Sequence, residues 1–118
     1  MTQRLLCHYA LTGDGWMHNA IIEIHDGRLS HIMSLDDTTS EPHHTRFVSG
    51  LLTGPWHHGV SHNVGMHIGS PIDTLVTPLA TNEPAHLLLW QHIDWKDKTI
   101  NSNTYFSVID DTMAHILR

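Results

Sequence analysis

The sequence predicts an α+β domain that is predominantly β: a small antiparallel β-sandwich or barrel-like domain with one or two short helices after residue 80. In the first half of the chain, apolar and polar residues alternate as in half-buried strands. Asp26 and Gly27 separate two such runs, which is typical of a hairpin. Helix-start residues appear only after residue 80. An all-β barrel or sandwich with poorly formed helices is the alternative.

The strands follow from this alternation and from the turn residues between them. The glycines at 13 and 15 end a first apolar-rich run, and Ala20, Ile22 and Ile24 supply one apolar face of the hairpin. We therefore expect strands at 3–12, 20–25, 29–33, 46–49 and 104–109, a further candidate strand at 72–76, and a surface loop at 34–45.

Helix signals are confined to the last third of the chain. Residues 81–84 combine a cap residue, an acid and a proline, as the first turn of a helix does. Residues 85–93 would then form a helix, with Leu88, Leu89 and His92 at helical spacing. Asp110 is a candidate cap for a second short helix over residues 111–117.

Length and composition indicate one globular domain, residues 1–118, with 40% hydrophobic and 15% charged residues. Six scattered basic residues and a net charge of −6 argue against nucleic acid as a partner. No apolar run is long enough to span a membrane and no signal peptide is evident, so we expect a soluble cytoplasmic protein. The low charge indicates either a homo-oligomer or histidines that replace charged residues on the surface.

Histidines are concentrated between Gly50 and Gly69, where His57, His58, His62 and His67 alternate with glycines and a proline. Glycine and proline exclude a long helix, so this segment is a loop or an irregular strand. Imidazole is the commonest protein ligand for transition metals. The segment therefore predicts a site for a divalent transition metal, namely zinc, iron, nickel or manganese.

A third metal ligand would come from His43, His44 or Asp73. In an alternative without metal, His58 or His62 acts as a general base that Asp73 orients, which makes Asp73 the candidate catalytic carboxylate. Cys7, the single cysteine, excludes an internal disulfide and lies in an apolar strand, where an inert buried thiol is the usual outcome.

Four segments match a sequence pattern found near the N-terminus of one enzyme superfamily: ALTGDGW at 10–16, NAIIEI at 19–24, DGRL at 26–29 and GLLT at 50–53. Residues 10–54 thus resemble the N-terminal β-domain of amidohydrolase-superfamily enzymes, in particular the deacetylase-like branch. The resemblance implies a metal-dependent hydrolase.

The sequence differs from the family pattern in two places. Gly54 and Pro55 stand in the reverse order of the family's Pro-Gly, and the metal-binding His-x-His motif is missing. Some deacetylases have Gln-x-Asn instead of that motif, and only Asn63 could correspond to it. The family's eight-stranded barrel does not fit in 118 residues, so kinship with the family would make this chain a remnant or a truncated enzyme.

A second resemblance is to cupins, small β-barrels that bind a metal through histidines. Residues 55–58 (PWHH) followed by Asn63 are similar to the second cupin motif. The first motif is missing, so His25 and His31, or His43 and His44, would have to replace it.

Two hypotheses follow. In the first, a His-rich β-domain binds a divalent metal through His57, His58, His62 and His67 and acts on or senses a small polar molecule; as an enzyme, it would use the metal to activate water or polarise a carbonyl. In the second, the chain is a non-catalytic structural or interaction domain, homo-oligomeric and without metal, whose histidines adjust assembly to pH.

Overall fold

A computed structural model describes residues 2–35 and 45–109 as one six-stranded mixed sheet. The strands run in the spatial order β3-β2-β1-β4-β5-β6, with β1 and β4 parallel and every other pair antiparallel. Their bounds are β1 Thr2–Thr12, β2 Gly15–His25, β3 Arg28–Ser34, β4 Thr45–Thr53, β5 Leu87–Gln91 and β6 Tyr105–Ile109, with 3₁₀ helices at Val64–His67 and Ile72–Thr74. The prediction of a mostly β fold is confirmed, but the sheet is open and mixed, not an antiparallel sandwich or barrel.

The predicted hairpin is present as β2 and β3, because its signals are local, but β2 begins at Gly15, before the predicted start at residue 20. At the β2–β3 turn, Asp26 and Gly27 both have positive φ (50° and 78°), as a type I′ turn requires. The strand predicted at 104–109 is also present as β6, and the one predicted at 46–49 is longer, reaching Thr53 as β4.

The helix predicted over residues 85–93 is wrong, because Leu87–Gln91 is the inner strand β5. Leu87 and Leu89 pack into one core, and Leu88 and Trp90 into another on the opposite face of the sheet. A short apolar run that is buried on both faces has no alternation, so its pattern does not distinguish a strand from a buried helix.

The strand predicted at 72–76 is also wrong, since a 3₁₀ helix occupies Ile72–Thr74 and only Val76 makes a single β-bridge, with Trp56. The helix predicted over residues 111–117 and most of the loop predicted at 34–45, including His43 and His44, lie outside the described residues. None of the described helices is long and apolar enough to cross a membrane.

The sheet buries side chains on both faces. The first core contains Leu5, Ile22, Leu52 and Leu89, and Leu79 and Ala85 from the connection before β5 cover part of it. On the opposite face, the second core joins sheet residues to apolar residues of the connection 54–76; its buried members are Leu11, Leu51, Trp56, Ile72, Leu75, Val76, Leu88, Trp90, Ile93 and Ile100. This irregular connection therefore replaces a second layer of regular structure.

Gly50 allows β4 to approach β5 closely. Its φ of +142° is unfavourable for other residues, and an added Cβ would lie 2.5 Å from the Trp90 carbonyl oxygen and 2.8 Å from Leu89 Cδ1. The neighbouring backbone leaves no room for that atom.

We expect Gly50→Ala to lower the free energy of unfolding by about 1–3 kcal/mol, because both the backbone conformation and the contact with Trp90 become strained. Urea denaturation measures the change. Gly13→Ala is the matched control, since an added Cβ there meets no atom within 4 Å. Equal stability of the two variants would contradict the close approach at Gly50.

Candidate functional site

The histidine-rich segment is a loop that backbone hydrogen bonds attach to its surroundings. The Gly54 amide donates to the Thr77 carbonyl (2.8 Å), the His57 amide to the Leu75 carbonyl (2.9 Å), and the Gly69 amide to the Ile100 carbonyl (2.7 Å). The prediction of a loop over the histidines is thus confirmed, and both ends of this loop are fixed against the chain that follows.

Trp56 is the centre of this loop and contacts four other rings. Its ring centroid lies 5.3 Å from that of Trp90 and 5.4 Å from that of Phe106, both in edge-to-face geometry. His62 stacks on it at 5.2 Å with an interplanar angle of 15°, and His67 lies at 5.8 Å. We name these five residues the Trp56 cluster; edge-to-face and offset ring pairs stabilise a fold beyond the area they bury.

The local structure explains the orientation of His67. Its Nε2 lies 2.8 Å from the Ser61 carbonyl oxygen, within hydrogen-bonding distance. Asn63 caps the 3₁₀ helix that contains His67, because its Oδ1 accepts a hydrogen bond from the Gly65 amide (3.0 Å). The loop sequence therefore places two of the four predicted ligands, the exposed His62 and the half-buried His67, against Trp56. His57 and His58 are exposed and make no ring contact in the described part of the chain.

The two tryptophans of the cluster differ in their polar contacts. Trp90 Nε1 donates a buried hydrogen bond to Thr53 Oγ1 (3.0 Å). Trp56 Nε1 is buried without a hydrogen-bond partner in the described part of the chain. Packing against rings therefore holds Trp56 in place, while Trp90 is also oriented by a hydrogen bond.

The structure does not bring the predicted metal ligands together. Within residues 2–35 and 45–109, no three histidine, cysteine, aspartate or glutamate side chains are close enough to hold a metal ion. His58 and His62 both lie in irregular backbone between β4 and the first 3₁₀ helix, so strand alternation does not direct them to a common face. With His43 and His44 outside the described residues, the metal site stays a prediction.

The Asp73 carboxylate is exposed on the second 3₁₀ helix. It has no hydrogen bond or ion pair with any described residue, so the predicted pairing with His58 or His62 is not formed in this structure.

Cys7 is buried in β1. This burial raises the pKa of its thiol to about 12, despite opposing backbone hydrogen bonds. This thiol is therefore protonated at neutral pH and a poor nucleophile.

The histidines of the first hairpin have local partners. His31 Nδ1 lies 3.4 Å from Glu23 Oε1, and His25 Nδ1 lies 2.6 Å from Thr2 Oγ1. Burial alone would raise the pKa of Glu23, but the hydrogen bond from Ser30 and the charge of Arg4 outweigh it and keep this pKa below its ordinary value. These contacts account for both histidines as surface residues of the hairpin.

Beside the Trp56 cluster lies a cavity of about 220 Å³ that adjoins the last strand of the sheet. Its lining is mostly apolar and includes two histidines: Pro55, Trp56, His62, His86, Leu88, Phe106 and Val108. The sequence contains no local signal for His86, Phe106 and Val108 as lining residues, because their proximity to the loop depends on the order of the strands.

Comparison with protein-family models, curated proteins and solved structures finds no match. The resemblances of residues 10–54 to amidohydrolases and of residues 55–63 to cupins therefore stay hypotheses.

We expect Thr53→Val to lower the free energy of unfolding by about 1–3 kcal/mol, because it leaves the buried Trp90 N–H without an acceptor. Urea denaturation measures the loss. In a Trp90→Phe background, which lacks the N–H, the same substitution should cost much less. Equal losses in the two backgrounds would contradict a stabilising Thr53–Trp90 hydrogen bond.

Proposed function

We propose that this chain is a non-catalytic interaction domain that assembles with a second copy of itself through the outer edge of β6. The observation that supports the proposal is the composition and position of this strand. Tyr105–Ile109 lies at one edge of the sheet, is apolar apart from Ser107, and pairs only with β5 in the described part of the chain.

The opposite edge of the sheet is covered by the chain itself only where β3 begins. The Leu29 amide donates to the Glu83 carbonyl (3.0 Å), and the Asn82 amide donates to the Leu29 carbonyl (2.7 Å). These bonds prevent an incoming strand from pairing with the beginning of β3. No such bond is present along the outer edge of β6 in the described part of the chain, so β6 offers backbone groups for further pairing.

Monomeric proteins usually protect an edge strand with lysine, proline, a bulge or an inward-pointing charge. The sequence of β6 is YFSVI, which contains neither charge nor proline, and its pairing with β5 has no register shift. Tyr105 and Val108 are 46% and 42% exposed. An uncharged apolar edge of this kind is expected to pair with another strand, and identical copies pair most simply about a two-fold axis.

Symmetric antiparallel pairing about Ser107 would place Phe106 opposite Val108 of the second copy. Aromatic and β-branched residues form favourable cross-strand pairs. Phe106 and Val108 are the register partners of Trp90 and Leu88, which belong to the second core. The two second cores would therefore become continuous, and each copy would cover the cavity beside the other copy's Trp56 cluster.

The metal-dependent hypothesis has no comparable support, since no three ligand side chains converge in the described ranges. The edge of β6, in contrast, offers backbone hydrogen bonds and apolar side chains on a single strand.

We expect the chain to show a concentration-dependent monomer–dimer equilibrium in sedimentation velocity, and Val108→Lys to make it monomeric. A lysine on this edge would place two like charges beside the two-fold axis and would leave apolar surface uncovered. Because Val108 is partly exposed, the free energy of unfolding of the monomer should change by no more than about 0.5 kcal/mol.

The control for added charge is Ser102→Lys, in the exposed turn before β6, which should dimerise like the unmodified chain. A chain that stays monomeric at all concentrations, or a Val108→Lys variant that dimerises as well as Ser102→Lys, would refute the proposal.

A further inference from the structure

A second group of aromatic rings lies apart from the Trp56 cluster, around β1. The His8 ring packs edge-to-face against Phe47 (5.1 Å between centroids) and Trp95 (5.6 Å). The Tyr9 ring lies 6.1 Å from that of Trp95 and 5.0 Å from that of His18. We name these five residues the β1 ring row; they form one continuous chain of ring contacts.

An irregularity in the backbone makes this row possible. Successive side chains of a regular strand point to opposite faces, yet both His8 and Tyr9 contact Trp95. The register between β1 and β4 shifts between Cys7 and Tyr9, and Asn19, on the neighbouring strand β2, has a φ of +50°. Such irregularities redirect side chains and are frequent next to functional sites.

The β1 ring row is accessible to solvent. Phe47 and Trp95 are 55% and 39% exposed, and His18 is exposed as well. Contiguous exposed apolar patches mark binding sites more often than isolated exposed residues do.

Lys98 adds a positive charge to this patch. Its Nζ lies 4.3 Å from the centroid of the Tyr9 ring and 5.8 Å from that of Trp16, which are cation–π distances. Within residues 2–35 and 45–109, no carboxylate lies within salt-bridge distance of Lys98. The rings thus fix the position of an ammonium group whose three N–H donors have no acidic partner among the described residues.

We infer that the β1 ring row and Lys98 form a binding site for a small aromatic carboxylate. The ligand ring would pack on Trp95 and Phe47, and its carboxylate would accept hydrogen bonds from the Lys98 ammonium, one ring away above Tyr9. Charge complementarity favours a single carboxylate, because Lys98 supplies one positive charge that no described carboxylate pairs, whereas the chain's net charge of −6 disfavours polyanions. This site is separate from the β6 edge and does not depend on dimerisation.

The test compares two probes that differ only in charge, N-acetyltryptophan and its primary amide, by two-dimensional NMR titration. Shifts should concentrate on the Trp95 indole N–H and on β1, and the acid should bind about threefold more tightly than the amide, as expected for an exposed ion pair. Higher salt should reduce this preference.

Lys98→Gln should bind the acid and the amide equally, whereas Lys98→Arg should keep the preference. The matched control is Lys96→Gln, an exposed lysine of the same turn without an aromatic contact in the described structure, which should leave both affinities unchanged. Trp95→Ala should weaken both probes, and Val108→Lys, which tests the β6 edge, should weaken neither.

Three results would overturn the inference: no titratable binding of either probe, equal affinity of the unmodified chain for acid and amide, or an equal loss of both in Lys98→Gln. The last would assign Lys98 a purely structural role. Dispersed NMR spectra of each variant, similar to those of the unmodified chain, verify that the fold is retained.

Discussion

The contact of Trp56 with Trp90 and Phe106 is the interaction on which the arrangement of the site depends. Strand β5 is buried on both faces, so each face of the sheet needs a cover. On the second face the cover is the irregular connection 54–76, which contains two short 3₁₀ helices and no strand. The indole of Trp56 supplies a large apolar surface there, and Thr53 orients the Trp90 indole that receives it.

This packing gives the histidines a role that differs from metal ligation. An imidazole is a flat ring that can pack against an indole or a phenol and still contact water with its nitrogens. His62 and His67 pack on Trp56, His8 packs between Phe47 and Trp95, and His92 lies 5.3 Å from Tyr105. These contacts show histidines in ring packing, while the two explanations for the low charge of the chain stay predictions.

The two proposed surfaces lie at different places on the sheet. The β1 ring row involves strands β1, β2 and β4 together with Trp95 from the connection between β5 and β6, whereas the β6 edge is the last strand of the order.

Local chemistry in the sequence by itself determined the N-terminal part of the fold. Alternation identifies Ala20, Ile22 and Ile24 as a buried face, and Asp26 and Gly27 supply the two positive φ angles of the turn, so the β2–β3 hairpin could be predicted without knowledge of any distant contact. The burial of Ile21 on the other face and the start of β2 at Gly15 were not predicted. The glycines and the proline likewise determined that residues 54–69 form a loop.

Only the tertiary structure decided the rest, because it depends on contacts between residues far apart in the chain. The run Leu87–Gln91 is compatible with a helix until β4 and β6 flank it, and the parallel pairing of β1 with β4 has no local signal. The candidate site shows the same limit: the sequence located the histidines but not Trp56 as their centre, nor β6 as a sheet edge, nor Lys98 above Tyr9. Residue spacing encodes local periodicity, whereas partners and edges are set by the free energy of packing the whole sheet.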